Sequence, residues 1–96
     1  MKAYRLTPAA RADLDAIWTF GEAQWGVDRA ERYIRQIQGA VETVAADPRR
    51  GRRCDEIRPG YFKFAAGTHI LFFRCDEDVI EIVRILHQRM DFDSHL

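Results

Sequence analysis

Arg84, His87, Arg89 and Asp91 crowd the end of one apolar run, Val79-Ile80-Glu81-Ile82-Val83-Arg84-Ile85-Leu86. A strand can end in Gly or Asn; ending it in a cation, a titratable ring and an acid marks a surface that meets something. The residue types would fit cleavage of RNA through its 2′-hydroxyl. That chemistry needs a general base, a cation for the developing phosphorane charge and an acid for the leaving oxygen. His87 could exchange a proton, histidine being the side chain suited to it, Arg84 or Lys63 could hold charge, and Glu81 could serve as base. Arg58, Lys63 and Arg74 lie on the preceding segments, which an antiparallel meander can bring to the same rim. The spacing argues against the pair. Arg84 shares parity with Ile80 and Ile82, while Glu81 and His87 share it with Val79, Val83 and Ile85. On a regular strand the base and the cation therefore face opposite ways. The block reads as contact more than catalysis.

The elements that must position these residues are written in changes of period. Ala3-Tyr4-Arg5-Leu6, with Lys2 before it, alternates as a short strand. Thr7-Pro8 then supplies a hydroxyl N-cap and a proline at the first helical position. Ala10, Leu14, Ile17, Trp18, Gly21 and Trp25 follow on one helical stripe, so both tryptophans are expected in the core. Gly26 marks a stop. Ala30, Ile34, Ile37, Val41 and Val44 then recur at helical spacing until Pro48, with Gly39 either admitting the first helix or tolerated as a defect. Two helices joined so tightly form an antiparallel hairpin. Residues 47–60 are the only long loop. Strands are expected over Tyr61–Ala65, Thr68–Cys75 and Val79–Leu86, with turns at Ala66-Gly67 and at the solvated Asp76-Glu77-Asp78. The order strand–helix–helix–strand–strand–strand predicts an α+β domain over residues 1–96. A helical hairpin packs on one face of a small, mainly antiparallel sheet, and the tail from Gln88 onward is left to cover part of the other.

Composition narrows the function classes. With 96 residues, 47% apolar, the chain suits one globular core. No apolar run approaches bilayer length, and no apolar segment follows Met1–Arg5, so a cytoplasmic protein is expected. Fifteen basic residues balance fifteen acidic ones. A protein that lives by gripping phosphates usually carries a basic excess, so neutrality favours a protein partner. The cluster Arg49, Arg50, Arg52 and Arg53 is a local exception that reads by default as a solvated loop. Cys54 and Cys75 read as reduced thiols, and His69 as a satisfied core residue. Neither they nor His87 and His95 supply the paired spacing of a four-ligand zinc site, so no metal or cofactor is expected. Gly-rich phosphate loops, nucleophile elbows and HExxH are absent from the sequence.

Five segments in order carry a family resemblance: LTPAARADLDAIW at Leu6–Trp18, WGVDRAERYI at Trp25–Ile34, IRPGY at Ile57–Tyr61, GTHILFFR at Gly67–Arg74, and VIEIVRILHQRMD at Val79–Asp91. Together they span about 90 residues, and the chain resembles the ParE branch of the RelE/ParE toxin superfamily. The resemblance implies the toxin half of a type II toxin–antitoxin pair. It would inhibit DNA gyrase by protein–protein contact and be held inactive by a ParD-like antitoxin, which alone would bind DNA. RelE-type relatives instead cut mRNA on the ribosome. This chain departs from that pattern in having no tyrosine after Tyr61 and no basic excess. The ribonuclease, and a non-toxic co-repressor of the same fold, remain the alternatives.

Within this reading no residue is assigned to catalysis. Arg58, Lys63, Arg84, His87, Arg89 and Met90 are the candidates for target contact. Arg11, Arg29, Arg32 and Arg35, on the helical hairpin, are candidates for pairing with an acidic antitoxin tail.

Overall fold

A computed structural model describes residues 3–96; Lys2, where the sequence places the start of the first strand, lies outside them. β1 (Ala3–Leu6) leads through Thr7 into α1 (Pro8–Trp25), and Gly26 alone separates it from α2 (Val27–Ala46). Thr7 caps α1 as its sequence predicts, its hydroxyl accepting from Ala10 N–H at 3.0 Å. That hydroxyl also donates to the Val83 carbonyl at 2.8 Å, fastening the helix start to the last strand. At Gly26 the backbone takes φ of +88°, a conformation glycine adopts without a Cβ clash, and its N–H closes α1 on the Glu22 carbonyl.

After a single 3₁₀ turn, Pro48–Arg50, come β2 (Arg52–Arg53), β3 (Phe62–Ala66), β4 (His69–Asp76), β5 (Val79–His87) and a one-turn α3 (Phe92–His95). The five strands lie in the order β1-β5-β4-β3-β2. β1 runs parallel to β5, and every other pair is antiparallel. The α+β hairpin-on-sheet architecture is as the sequence predicts. The 47–60 loop is more ordered than expected, because Arg52 and Arg53 pair with Lys63 and Phe62.

The sheet has a core on each face. Ala10, Ile37, Val41, Val44 and Ala45 of the hairpin meet Leu71, Phe73, Ile80, Ile82 and Ile85 on one side. On the other, Cys54, Phe72 and Leu86 are sealed by Ile57, Tyr61, Ile70, Phe92 and Leu96. Full burial of Phe72 and Phe73 is worth about 1.5–3 kcal/mol each. The helices approach at Gly21, where a Cβ would stand 3.3 Å from that of Ala30; Gly39 faces open space and is the tolerated defect.

One irregularity redirects the site. The β4–β5 register shifts between Phe72 and Phe73, which face Arg84 and Ile82 and leave Val83 as an extra residue in β5. The bulge resets the alternation: Ile82 and Ile85, three apart, share the main core, while Leu86 packs on the far face. Glu81 and Arg84 consequently lie on the same face, opposite to the expectation from a regular strand. The bulge thus overturns their expected separation by face, yet the two do not pair, because Arg84 is held by Asp13 and Glu81 by Arg5 and Arg74.

Candidate interaction surface

Arg84 is turned inward. Its guanidinium forks onto Asp13 of α1, Nε to Oδ2 and Nη2 to Oδ1, both at 2.8 Å. Asp13 Oδ2 also accepts the edge N–H of Ile85 at 2.9 Å, and Arg84 Nη1 donates to the His95 carbonyl at 2.8 Å. The side chains of Arg84 and Asp13 are only 23% and 13% exposed, which strengthens the pairing relative to a surface ion pair. Hydrogen bonding to Asp13 raises the Arg84 pKa further. Glu81 is equally committed: Arg5 and Arg74 flank it at 3.0 and 2.8 Å and hold its carboxyl below the usual range, which disfavours a general base. Arg58 clamps the tail through Asp93 Oδ1 at 2.8 Å and the carbonyls of Asp93 and Leu96. Of the six target candidates, Arg58 and Arg84 thus work inside the fold. Lys63, Arg89 and Met90 remain available, and His87 is half-buried.

His87 looks into a groove of about 520 Å³ between α1, the start of α2 and the β4–β5 end. A row of rings edges it: Phe20 to Trp25 at 6.3 Å, Trp25 to Tyr33 at 5.9 Å, Tyr33 to His69 at 5.5 Å and His69 to His87 at 5.3 Å. Tyr33 Oη accepts from Thr68 N–H at 3.1 Å and lies 2.6 Å from His69 Nδ1, so its hydroxyl can donate to a neutral imidazole. Burial, and next the neighbouring His87, hold the His69 pKa below the ordinary histidine value. Arg89 N–H donates to His87 Nδ1 at 3.1 Å, and the turn that follows sets Met90 over the groove.

The groove is open and apolar. Phe20 is 61% exposed, Trp25 40% and Met90 38%. Trp25 is expected in the core, but as the last residue of α1 it stands at the rim, edge-on to Phe20 and Tyr33. Phe20 escaped the sequence reading; an aromatic lying off the helical stripe was its signal. Arg29 rests over the Trp25 ring at 5.1 Å, and Arg29 and Arg32 border an adjoining depression with Trp25 and Tyr33. Arg11 is exposed elsewhere on α1, and Arg35 pairs with Glu31 one turn away. The antitoxin candidates therefore divide into a groove-rim pair and two residues apart from it.

The arginine loop is sorted. Asp47 takes Arg49 and Asp55 takes Arg53, at 2.9 and 2.8 Å, whereas Arg50 and Arg52 join Lys63 around a separate depression of about 310 Å³. Among the described residues no group of His, Cys, Asp and Glu is placed to hold a metal, and no helix is long and apolar enough to cross a membrane.

Comparison with known proteins places this geometry. The family model described as "ParE toxin of type II toxin-antitoxin system, parDE" matches residues 4–92. Toxin ParE1 of Mycobacterium tuberculosis is 55% identical over 94 residues, covering 97% of this chain and 96% of the relative. Toxin ParE1 of Caulobacter vibrioides is 45% identical over 96 residues, covering 100% and 99%. A solved chain of the chromosomal ParDE toxin–antitoxin system of P. aeruginosa superposes with a TM-score of 0.79 at 25% identity, over 91% of this chain and 96% of that one. By family match, relatives and fold together, this chain belongs to the ParE toxins of type II toxin–antitoxin systems.

Proposed function

We propose that this ParE toxin inhibits DNA gyrase through a protein–protein contact and is silenced by a ParD-like antitoxin seated in the aromatic groove. The observation that carries the reading is the groove itself. Phe20, Trp25 and Met90 are left in water around one apolar concavity, an arrangement that marks a partner site. The apolar face of an amphipathic helix suits it, and Arg29 and Arg32 at the rim suit acidic residues flanking that face. His87 and Met90, two of the target candidates, line the same groove. An antitoxin seated there covers them, so neutralisation is occlusion. Arg89 and Lys63 extend the target surface outside the groove, and Arg58 and Arg84 serve it by fixing the tail and β5. With Glu81 and Arg84 both neutralised internally, the geometry supports contact over RNA cleavage.

The test is purified, antitoxin-free toxin in a gyrase supercoiling and cleavage assay. Inhibition or trapped cleavage complexes are expected, and Met90→Asp should abolish them. Intact gyrase activity at saturating toxin sinks the gyrase reading, and codon-phased mRNA cuts after induction would replace it with the ribonuclease.

A further inference from the structure

We propose that the depression formed by Arg50, Arg52 and Lys63 is a contact site for the phosphodiester backbone of a nucleic acid. Four observations converge there. First, the chain separates its cations. In residues 47–60, Arg49, Arg53 and Arg58 each form an ion pair with an aspartate, Asp47, Asp55 and Asp93, while among the described residues neither Arg50 nor Arg52 forms one; Arg50 reaches Asp47 only through a weaker charge interaction, and both arginines line the depression with Lys63. Glu56, the loop's remaining carboxylate, does not line it.

Second, Arg52 and Lys63 are directly opposite partners across β2 and β3. Like charges in that position destabilise a sheet. Among the described residues neither Arg52 nor Lys63 forms an ion pair, and a bound polyanion would offset the repulsion.

Third, the site is held rigidly. A Cβ on Gly51 would fall 2.5 Å from the Phe73 ring, so the backbone between Arg50 and Arg52 is packed down on the core.

Fourth, the edge of β3 is open at this point. Cys54 N–H bonds the Tyr61 carbonyl, so by alternation Lys63 and Ala65 also direct their main chain outward. The chain leaves the sheet into the 3₁₀ turn at Arg50, so among the described residues no strand pairs with this side of β3 opposite Ala65, and its N–H faces that edge.

The chemistry selects phosphates over a peptide. One free main-chain position cannot support a strand ladder. A single carboxylate is satisfied by one guanidinium fork, whereas successive phosphates each take a separate cation. Neutral net charge does not oppose this, because the three cations are local. The site stands outside the aromatic groove and does not rest on the gyrase reading.

The experiment is fluorescence anisotropy of the toxin with a labelled duplex DNA and a labelled single-stranded RNA, from 50 to 200 mM salt. Three phosphate contacts predict a log–log salt slope near about −2.7 on DNA, a loss of roughly 40-fold over that range. The tighter ligand assigns the source of the phosphates. Arg52→Glu/Lys63→Glu should reduce the slope to about −1, while Arg49→Gln, whose arginine is already paired, leaves binding unchanged. Arg52→Glu alone, by turning a like-charge pair into an opposite one, should raise Tm by a few degrees while weakening binding. Absence of binding at 50 mM salt overturns the proposal. So does binding that the double variant retains, an oligoglutamate that competes as well as nucleic acid, or a fall in Tm, which would make Arg52 a structural residue.

Discussion

The C-terminal block and the arginine loop carry similar residues and put them to opposite uses. In the block, Arg84 is drawn onto Asp13 and away from solvent. In the loop, Arg50 and Arg52 lie within a few residues of Asp47 and Asp55, which are already taken by Arg49 and Arg53. The stretch that looks like an active site is largely scaffold, and the stretch that looks solvated keeps, among the described residues, two arginines outside any ion pair. A cation's availability is decided by the carboxylates that the fold delivers to it, and the local density of charge in the chain does not report it.

The largest effect should come from breaking the scaffold. Asp13→Ala leaves a mostly buried guanidinium and the Ile85 N–H without their acceptor, at a cost of about 2–3 kcal/mol. Urea unfolding measures it, and a double-mutant cycle with Arg84→Ala should show strong coupling. A loss within about 0.5 kcal/mol, the usual range of a surface substitution, would show that the block is not scaffold.

Arg58→Ala comes next, at about 1–2 kcal/mol, because it frees the tail that Arg58 ties at Asp93 and Leu96. Its specific signature is Cys54. The thiol lies buried on the tail-side face of the sheet, and burial above all raises its pKa. Loosening the tail should lower that pKa and speed reaction with a maleimide. Unchanged Cys54 reactivity would mean that the tail does not depend on Arg58.

How much of this was legible follows from what each feature needs. The helical hairpin and the three long strands announce themselves because period and punctuation agree: Thr7-Pro8 starts, Gly26 and Pro48 stop, and β-branched runs alternate. β2 has two residues, too few to show a period, and so it hides in the loop. The bulge at Val83 is silent because Ile82, Val83 and Ile85 are all apolar, so alternation cannot reveal which residue is extra. Asp13 and Arg84 are 71 residues apart, and no local pattern pairs them. The groove was half legible. His87 and Met90 were readable as surface, whereas Trp25 shares the helical phase of the core residues, and phase alone does not tell a rim position at a helix end from a buried one.

Proton binding should distinguish the groove from the arginine loop. His69 sits at the groove with its pKa below the ordinary 6.5, chiefly through burial and then through His87. A histidine whose folded pKa is depressed binds fewer protons than its unfolded form between the two values. Its contribution to stability is therefore present above the unfolded pKa and lost as pH falls from about 6.5 toward the folded one. An apolar antitoxin face laid over the groove buries the ring further and enlarges the same penalty. Antitoxin affinity should therefore weaken as pH falls through the already lowered His69 pKa of the free toxin, and His69→Phe should flatten that dependence. The loop behaves differently. Arginine and lysine keep their charge across this range, so phosphodiester binding at Arg50, Arg52 and Lys63 should stay level from pH 7.5 to about 5.5. Calorimetric titration with antitoxin and anisotropy with nucleic acid, run on the same toxin over the same pH steps, separate the two surfaces. Parallel pH profiles would mean that the two ligands share one site.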